Sequence, residues 1–347
     1  MAAANALTIR RPDDWHVHLR DGAVLAAVAP LTARQFARAV VMPNLVPPVT
    51  SVAVARAYRK RILDAVGTEA GFTPLMTCYL TDTADADEIA RGFEETVFAA
   101  VKLYPAHATT NSDAGVTDIA TVHGVLARLE KIGMPLLVHG ETVGAGIDVF
   151  DREKVFIERT LGPLVEKFPG LKIVFEHITT KEAVDFVRAA PASVAATVTA
   201  HHLMINRNAI FEGGIRPHYY CLPIAKREQD RRALRKAAVS GEAKFFLGTD
   251  TAPHAVSAKE TACGCAGIFT AVNALELYAQ VFDEENALDK FEAFASRNGP
   301  AFYGLPVNEG TVTLTRAPTP VPTDIKAGSE TVRPFLADET LSWRFEG

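Results

Sequence analysis

The chain has 347 residues, 48% of them hydrophobic, with 36 basic and 41 acidic side chains and a net charge of −5. That is enough for one large core or two modest ones, and the interspersed charges exclude a basic nucleic-acid surface or a membrane-seeking face. No apolar run reaches the ~20 residues of a membrane span. Residues 1–6 lack the basic and long apolar regions of a secretory signal, and four cysteines do not form a disulfide framework in so long a chain. A cytoplasmic protein is expected.

Taken from the N-terminus, short β-rich runs alternate with helical ones. The strand candidates are 15–19, 39–42, 74–79, 99–103, 135–139, 172–176, 193–198 and 245–248. Most are continuous apolar runs, the signature of strands covered on both faces in a parallel sheet. Helical spacing recurs at 52–66, 116–132, 181–189 and 229–239, with Gly67 and Gly133 as stops. Eight alternations over about 250 residues match an α/β chain folded as a (β/α)8 TIM barrel. A doubly wound sheet remains the alternative, because alternation does not show closure. The proline-bearing tail, 304–347, reads as an irregular extension packed on a single barrel domain spanning 1–347.

Barrel active sites lie at the C-terminal ends of the strands. His16 and His18, two residues apart, share a strand face. The next polar residues in these positions are Arg20, Asn44, Lys102, His139, Glu141, Glu176, His177, Asp250 and His254. Four imidazoles and an aspartate converging on one mouth are suitable ligands for a divalent metal such as zinc. Singly, His139 or His177 reads as a core histidine and Asp250 as a helix cap. Lys102 sits in an apolar run, so its amine is buried. It either pairs with an acid such as Glu141 or reacts with carbon dioxide to give a carbamate able to bridge two metals. Cys263-Gly264-Cys265, with Cys221, reads as reduced thiols near a loop, since paired zinc spacings are absent. His201 and His202 receive no role.

The segments Trp15-His16-Val17-His18-Leu19-Arg20-Asp21-Gly22, Val41-Met42-Pro43-Asn44, Val101-Lys102-Leu103-Tyr104-Pro105, Val138-His139-Gly140-Glu141, Phe175-Glu176-His177 and Gly248-Thr249-Asp250-Thr251-Ala252-Pro253-His254 resemble the dihydroorotase family of the amidohydrolase superfamily, in its bacterial homodimeric type. The resemblance runs over nearly the whole chain, including residues 216–223 and 298–306. It implies a zinc-dependent cyclic amide hydrolase that interconverts N-carbamoyl-L-aspartate and L-dihydroorotate, with release of water on ring closure, in pyrimidine biosynthesis.

By the same resemblance, His16, His18 and Asp250 hold the more buried of two zinc ions. His139 and His177 hold the other, and Lys102, as N6-carboxylysine, bridges them. A metal-bridging hydroxide attacks the ring amide carbonyl, and Asp250 acts as general base and acid. Arg20, Asn44 and His254 bind the substrate α-carboxylate, while Leu222, Ala266 and Gly267 contact the pyrimidine ring through main-chain atoms. Thr109 and Thr110 belong to a mobile loop, 106–115, that closes over substrate. The implied partners are a small-molecule substrate and a second subunit, with no nucleic acid or membrane. A hydantoinase or allantoinase would use the same cage, but the three carboxylate-binding positions favour a substrate with a free carboxylate. A barrel without chemistry would lack ligands, and all six positions are filled.

Overall fold

The continuous apolar runs become parallel strands because both their faces are covered. The computed structural model describes residues 5–67 and 70–347; residues 1–4 of the segment read for a signal lie outside them. An N-terminal strand β1 (Ala6–Arg10) precedes the barrel strands. These are β2 (Asp13–Val17), β3 (Arg38–Val41), β4 (Thr73–Tyr79), β5 (Phe98–Leu103), β6 (Leu136–Val138), β7 (Ile173–Phe175), β8 (Val194–Val198) and β9 (Phe245–Leu247). They pair in sequence order, β2 to β9, all parallel, and a helix follows each. The expected (β/α)8 barrel forms, and the doubly wound alternative is set aside.

The seam between β9 and β2 is made by a side chain as well as by the main chain. Asp14 accepts from the Thr249 amide at 2.9 Å and from the Thr249 hydroxyl at 2.6 Å. Main-chain bonds run from Asp250 N to His16 O (2.9 Å) and from His18 N to Thr251 O (3.0 Å). The residues that close the barrel are therefore the neighbours of the site.

Inside the barrel, Val40, Ala100, Leu137, Val174, Ala195 and Phe246 form an apolar layer with Trp15. Tyr303 stacks on Trp15 with ring centroids 4.3 Å apart and plugs the floor. Gly299 permits that approach, since a Cβ there would fall 1.9 Å from the Trp15 ring nitrogen. Strand side chains repeat every two residues. Two positions beyond this layer the same strands carry Lys102, His139, Glu176 and Thr197, all buried. The barrel is thus apolar at its floor and polar towards its C-terminal mouth. The β2–β3 register shifts between Asp14 and Val17, which lets Trp15 join the floor while His16 joins the polar layer.

Three elements differ from expectation. The first barrel strand is Asp13–Val17, not 15–19, because buried Asp13 and Asp14 are held by Arg38 and Thr249. The helix expected over 116–132 begins only at His123. Val116 bridges Pro105, and Asp118 caps a separate 3-10 turn, Ile119–Val122. The tail is not irregular. It contains β10 (Thr311–Pro320), β11 (Ile325–Ala327), β12 (Glu330–Val332) and β13 (Thr340–Phe345). β10 pairs antiparallel with β1 and β13, and its ladder breaks between Arg316 and Thr319, where Pro318 sits. Proline is tolerated at such a bulge. Among the described residues, no helix is long and apolar enough to cross a membrane.

Candidate active site and metal centre

His16 lies on β2, His18 one residue past its end, and Asp250 just after β9. The His16 and His18 Nε2 atoms are 3.2 Å apart, and Asp250 Oδ1 lies 3.3 Å from the first and 3.2 Å from the second. Three donor atoms thus form a nearly equilateral triangle. Ligands held at ~2.0–2.1 Å in tetrahedral directions stand ~3.3 Å from each other. The triangle therefore has the dimensions of one face of such a site, and these donors fit a zinc-sized ion. His16, Glu176 and His177 form a second buried group with ligand atoms within 4.8 Å of one another.

Contacts behind the triangle orient it. His18 Nδ1 is 2.8 Å from Asn44 Oδ1. Because that oxygen can only accept, Nδ1 carries the proton and Nε2 keeps a lone pair facing the triangle. His16 Nδ1 lies 2.9 Å from Glu176 Oε1, an ion-pair contact off hydrogen-bond geometry. Lys102 Nζ touches the other Glu176 oxygen. The acid expected for Lys102, Glu141, instead meets His139 Nε2 at 2.9 Å. His139 and His177 rings are 4.9 Å apart, and His177 and His16 rings 5.0 Å. Arg20, His177 and Asp250 have positive φ of 58°, 42° and 46°. Non-glycine residues in that region cluster at functional sites, where surrounding contacts hold the strain.

The electrostatics favour a cation. Burial pulls His16 down, but the Glu176 and Asp250 carboxylates outweigh it and raise its pKa to about 9. Burial pushes the Asp250 carboxyl up, yet His16 and His18 hold it well below the usual carboxylate range. Burial lowers His18 to about 4 and keeps His139 and His177 neutral as well. Burial also lowers Lys102, offset in part by Glu176. Neutral His18, His139 and His177 beside buried carboxylates suit metal ligation, whereas His16 would have to give up its proton to bind a metal.

Above these groups lies a small, narrow cavity. Its walls include His18, Arg20, Asn44, Thr109, Thr110, His139, His177, Leu222, Asp250, Ala266 and Gly267. His16 and Lys102 are buried beneath it. Arg20 donates to Pro253 O at 3.1 Å, and its Nη2 is 3.0 Å from His254 Nε2. Burial and the charges of Arg20 and Lys259 push His254 down to about 2, so its ring is neutral. The loop lies against the pocket. Asn44 Nδ2 donates to Thr110 O at 3.1 Å, and Thr110 Oγ1 to Ala266 O at 3.2 Å. Asp113 points away, 3.0 Å from His107 on the surface.

Every site residue named from the sequence falls on this cavity or its immediate supports. Sequence reasoning gave no role to Asp14, Glu176 or Tyr104. Asp14 closes the seam. Glu176 supports both His16 and Lys102. Tyr104 lines the cavity with a buried hydroxyl that has no hydrogen-bond partner. The available signal was a charged or phenolic residue interrupting or ending an apolar run. Cys221 lies in a buried group with His201 and His202 whose potential ligand atoms are within 4.8 Å of one another. Its Sγ approaches His202 Nε2 at 3.5 Å and Pro223 O at 3.3 Å, and burial raises its thiol pKa. Both His202 ring nitrogens are engaged, by Thr199 Oγ1 (2.8 Å) and Pro223 O (2.9 Å), so the ring serves as a strut. His201 is buried against the rings of His202 and Phe335.

Residues 13–317 match the model of the amidohydrolase family. The chain is 67% identical over 338 residues to the dihydroorotase of Sphingopyxis alaskensis, covering 97% of this chain and 98% of that one. Among solved structures it superimposes on the dihydroorotase of Campylobacter jejuni with a TM-score of 0.91 and 36% identity, over 100% and 99% of the two chains. The Saccharomyces cerevisiae dihydroorotase in complex with 5-fluoroorotic acid gives 0.91 and 34%, over 99% of each chain.

Proposed function

The chain belongs to the dihydroorotases of the amidohydrolase family, and from that premise we propose that it interconverts N-carbamoyl-L-aspartate and L-dihydroorotate for pyrimidine biosynthesis with two zinc ions and a carboxylated Lys102. The observation that carries the reading is the juxtaposition in one cavity of the His16–His18–Asp250 triangle with the Arg20 guanidinium. The first group suits a metal, and the second suits a carboxylate on the substrate.

His16, His18 and Asp250 would hold one ion and His139 and His177 the other. Lys102, whose charge is felt by both Asp250 and His139, would serve both sets. Its amine, whose hold on a proton burial weakens, would add carbon dioxide and release a proton to form N6-carboxylysine. When bound, zinc lowers the pKa of water and polarises a carbonyl.

The chain's own residues account for the rest. Arg20 presents a planar fork that matches two carboxylate oxygens. One N–H of the Asn44 amide and the neutral His254 ring complete the grip. Main-chain atoms of Leu222, Ala266 and Gly267 would meet the ring amide edge. In the hydrolytic direction Asp250 takes a proton from the attacking water and returns it to the ring nitrogen as the amide bond breaks. Closing runs the same transfers in reverse. Thr109 and Thr110 close the cavity and exclude bulk water. The enzyme acts as one domain over its whole length, as a homodimer in the cytoplasm.

Comparing hydrolysis of L-dihydroorotate, hydantoin and allantoin by the zinc-loaded protein tests this reading. Turnover of dihydroorotate far above the other two is expected. A preference for hydantoin or allantoin would overturn it, since neither carries the carboxylate that Arg20 would bind.

A further inference from the structure

One buried cation acts on the groups described above through its charge on His254, and it sits directly behind the pocket wall. Lys259 ends a short helix, Val256–Lys259, and is 2% exposed. Its Nζ donates to Tyr220 O at 2.9 Å, Cys265 O at 2.7 Å and Gly267 O at 2.8 Å. An ammonium has three N–H bonds in tetrahedral directions, and all three end on main-chain carbonyls.

The carbonyls belong to the two segments that flank the cavity. Residues 220–222 lead into Leu222, and residues 265–267 surround Ala266. The two are also joined by Gly267 N donating to Tyr220 O at 3.1 Å. The second segment has an irregular backbone, with φ of 21° at Cys265 and 156° at Gly267. Along it the carbonyls alternate. Those of Cys265 and Gly267 face Lys259, while the one between them, on Ala266, faces His254 Nε2 at 3.0 Å and the Thr110 hydroxyl at 3.2 Å. Turning the outer two carbonyls back towards the lysine is what leaves the middle peptide aimed at the pocket.

We propose that Lys259 is a positioning residue, a three-point anchor that fixes the Leu222 and Ala266 main chain as the substrate-binding wall and sets the seat on which Thr110 closes. This rests on the reading of the cavity as a dihydroorotate site. Lys259 touches neither the ligand set nor Asp250, so its loss acts on substrate binding and loop closure and leaves the metal cage in place.

The test is steady-state hydrolysis of L-dihydroorotate by zinc-loaded wild type and Lys259→Met. Methionine fills similar space without a donor, so a role in packing alone would leave both constants unchanged. The expected result is a rise in KM of at least tenfold, with kcat within threefold and bound zinc unchanged. An unchanged KM, or a loss confined to kcat, would overturn the proposal. If Lys259→Met does not fold, Lys259→Arg is read by the same criteria, because a planar guanidinium cannot serve three carbonyls from one nitrogen. A double-mutant cycle with Thr110→Ala adds a second readout. The Thr110→Ala penalty on kcat/KM is expected to shrink at least threefold when Lys259 is already methionine, and an undiminished penalty would contradict the shared seat. Inactivity of the wild type towards dihydroorotate would instead defeat the functional reading itself.

Discussion

Asn44 joins the metal side of the pocket to its lid through His18. Its Oδ1 lies 2.8 Å from His18 Nδ1, and its Nδ2 donates to the Thr110 carbonyl at 3.1 Å. One amide therefore fixes the tautomer of His18 and ties it to the 106–115 loop. Asn44→Ala should lower zinc affinity roughly 10–100-fold, the usual effect of losing a partner behind a metal-bound histidine. Asn44→Asp keeps an acceptor for His18 but replaces the donor with a charge that repels a carboxylate. It should retain zinc and raise KM. Zinc content after dialysis against a chelator, read beside KM, separates the two variants; equal zinc loss in both would contradict the assigned contact.

Asp250 is buried, held as a carboxylate by His16 and His18, and assigned the proton transfer. Positioned acid–base groups typically contribute 10²–10⁴-fold. Asp250→Ala should lower kcat by about a thousandfold or more, since a ligand is lost as well. Near-normal kcat in the zinc-loaded variant would refute the role.

Arg20 should act mainly on binding. A charge-assisted pair with carboxylate contributes ~1.5–3 kcal/mol, so Arg20→Met should raise KM for dihydroorotate about 10–100-fold with a smaller change in kcat. The discriminating measurement is the ratio of the two effects. A fall in kcat at constant KM would move Arg20 out of the carboxylate grip.

The barrel is readable because its strands are continuous apolar runs, and the candidate site because histidine, lysine and aspartate stand at or near the ends of those runs. What escaped was pairwise. Closure depends on Asp14 meeting Thr249, residues 235 positions apart, and no periodicity reports such a contact. Glu176 is visible beside His177, but its simultaneous grip on His16 and Lys102 is not, so Glu141 stands in the sequence as an equally good example of an acid for Lys102. The tail's order is hidden because prolines ordinarily mark irregular chain, whereas Pro318 falls at a bulge and β10 gains its order from β1 and β13 on either side. Lys259 carried no sequence signal, since its three partners are all main-chain carbonyls.

His201 gives the native state a dependence on pH. Burial lowers its pKa from 6.5 to about 4, with Asp250 opposing slightly. Between those values the unfolded chain binds the proton and the native chain does not. The contribution is complete above pH 6.5 and is lost as pH falls towards 4, amounting to about 3 kcal/mol over that window. Denaturant unfolding of the metal-free protein at pH 7.5, 5.5 and 4.5 should show a steeper acid decline for wild type than for His201→Leu. Parallel declines would contradict the neutral, buried assignment.

The central claim is that one cavity unites a two-zinc cage with a dihydroorotate site. Stepwise return of zinc to the metal-free protein in bicarbonate buffer, following bound zinc and hydrolysis of L-dihydroorotate together, addresses it most directly. The account predicts that activity is negligible without metal, rises with zinc and levels off at two ions bound per chain. Full turnover in the metal-free protein, or zinc binding that never restores hydrolysis of dihydroorotate, would contradict it.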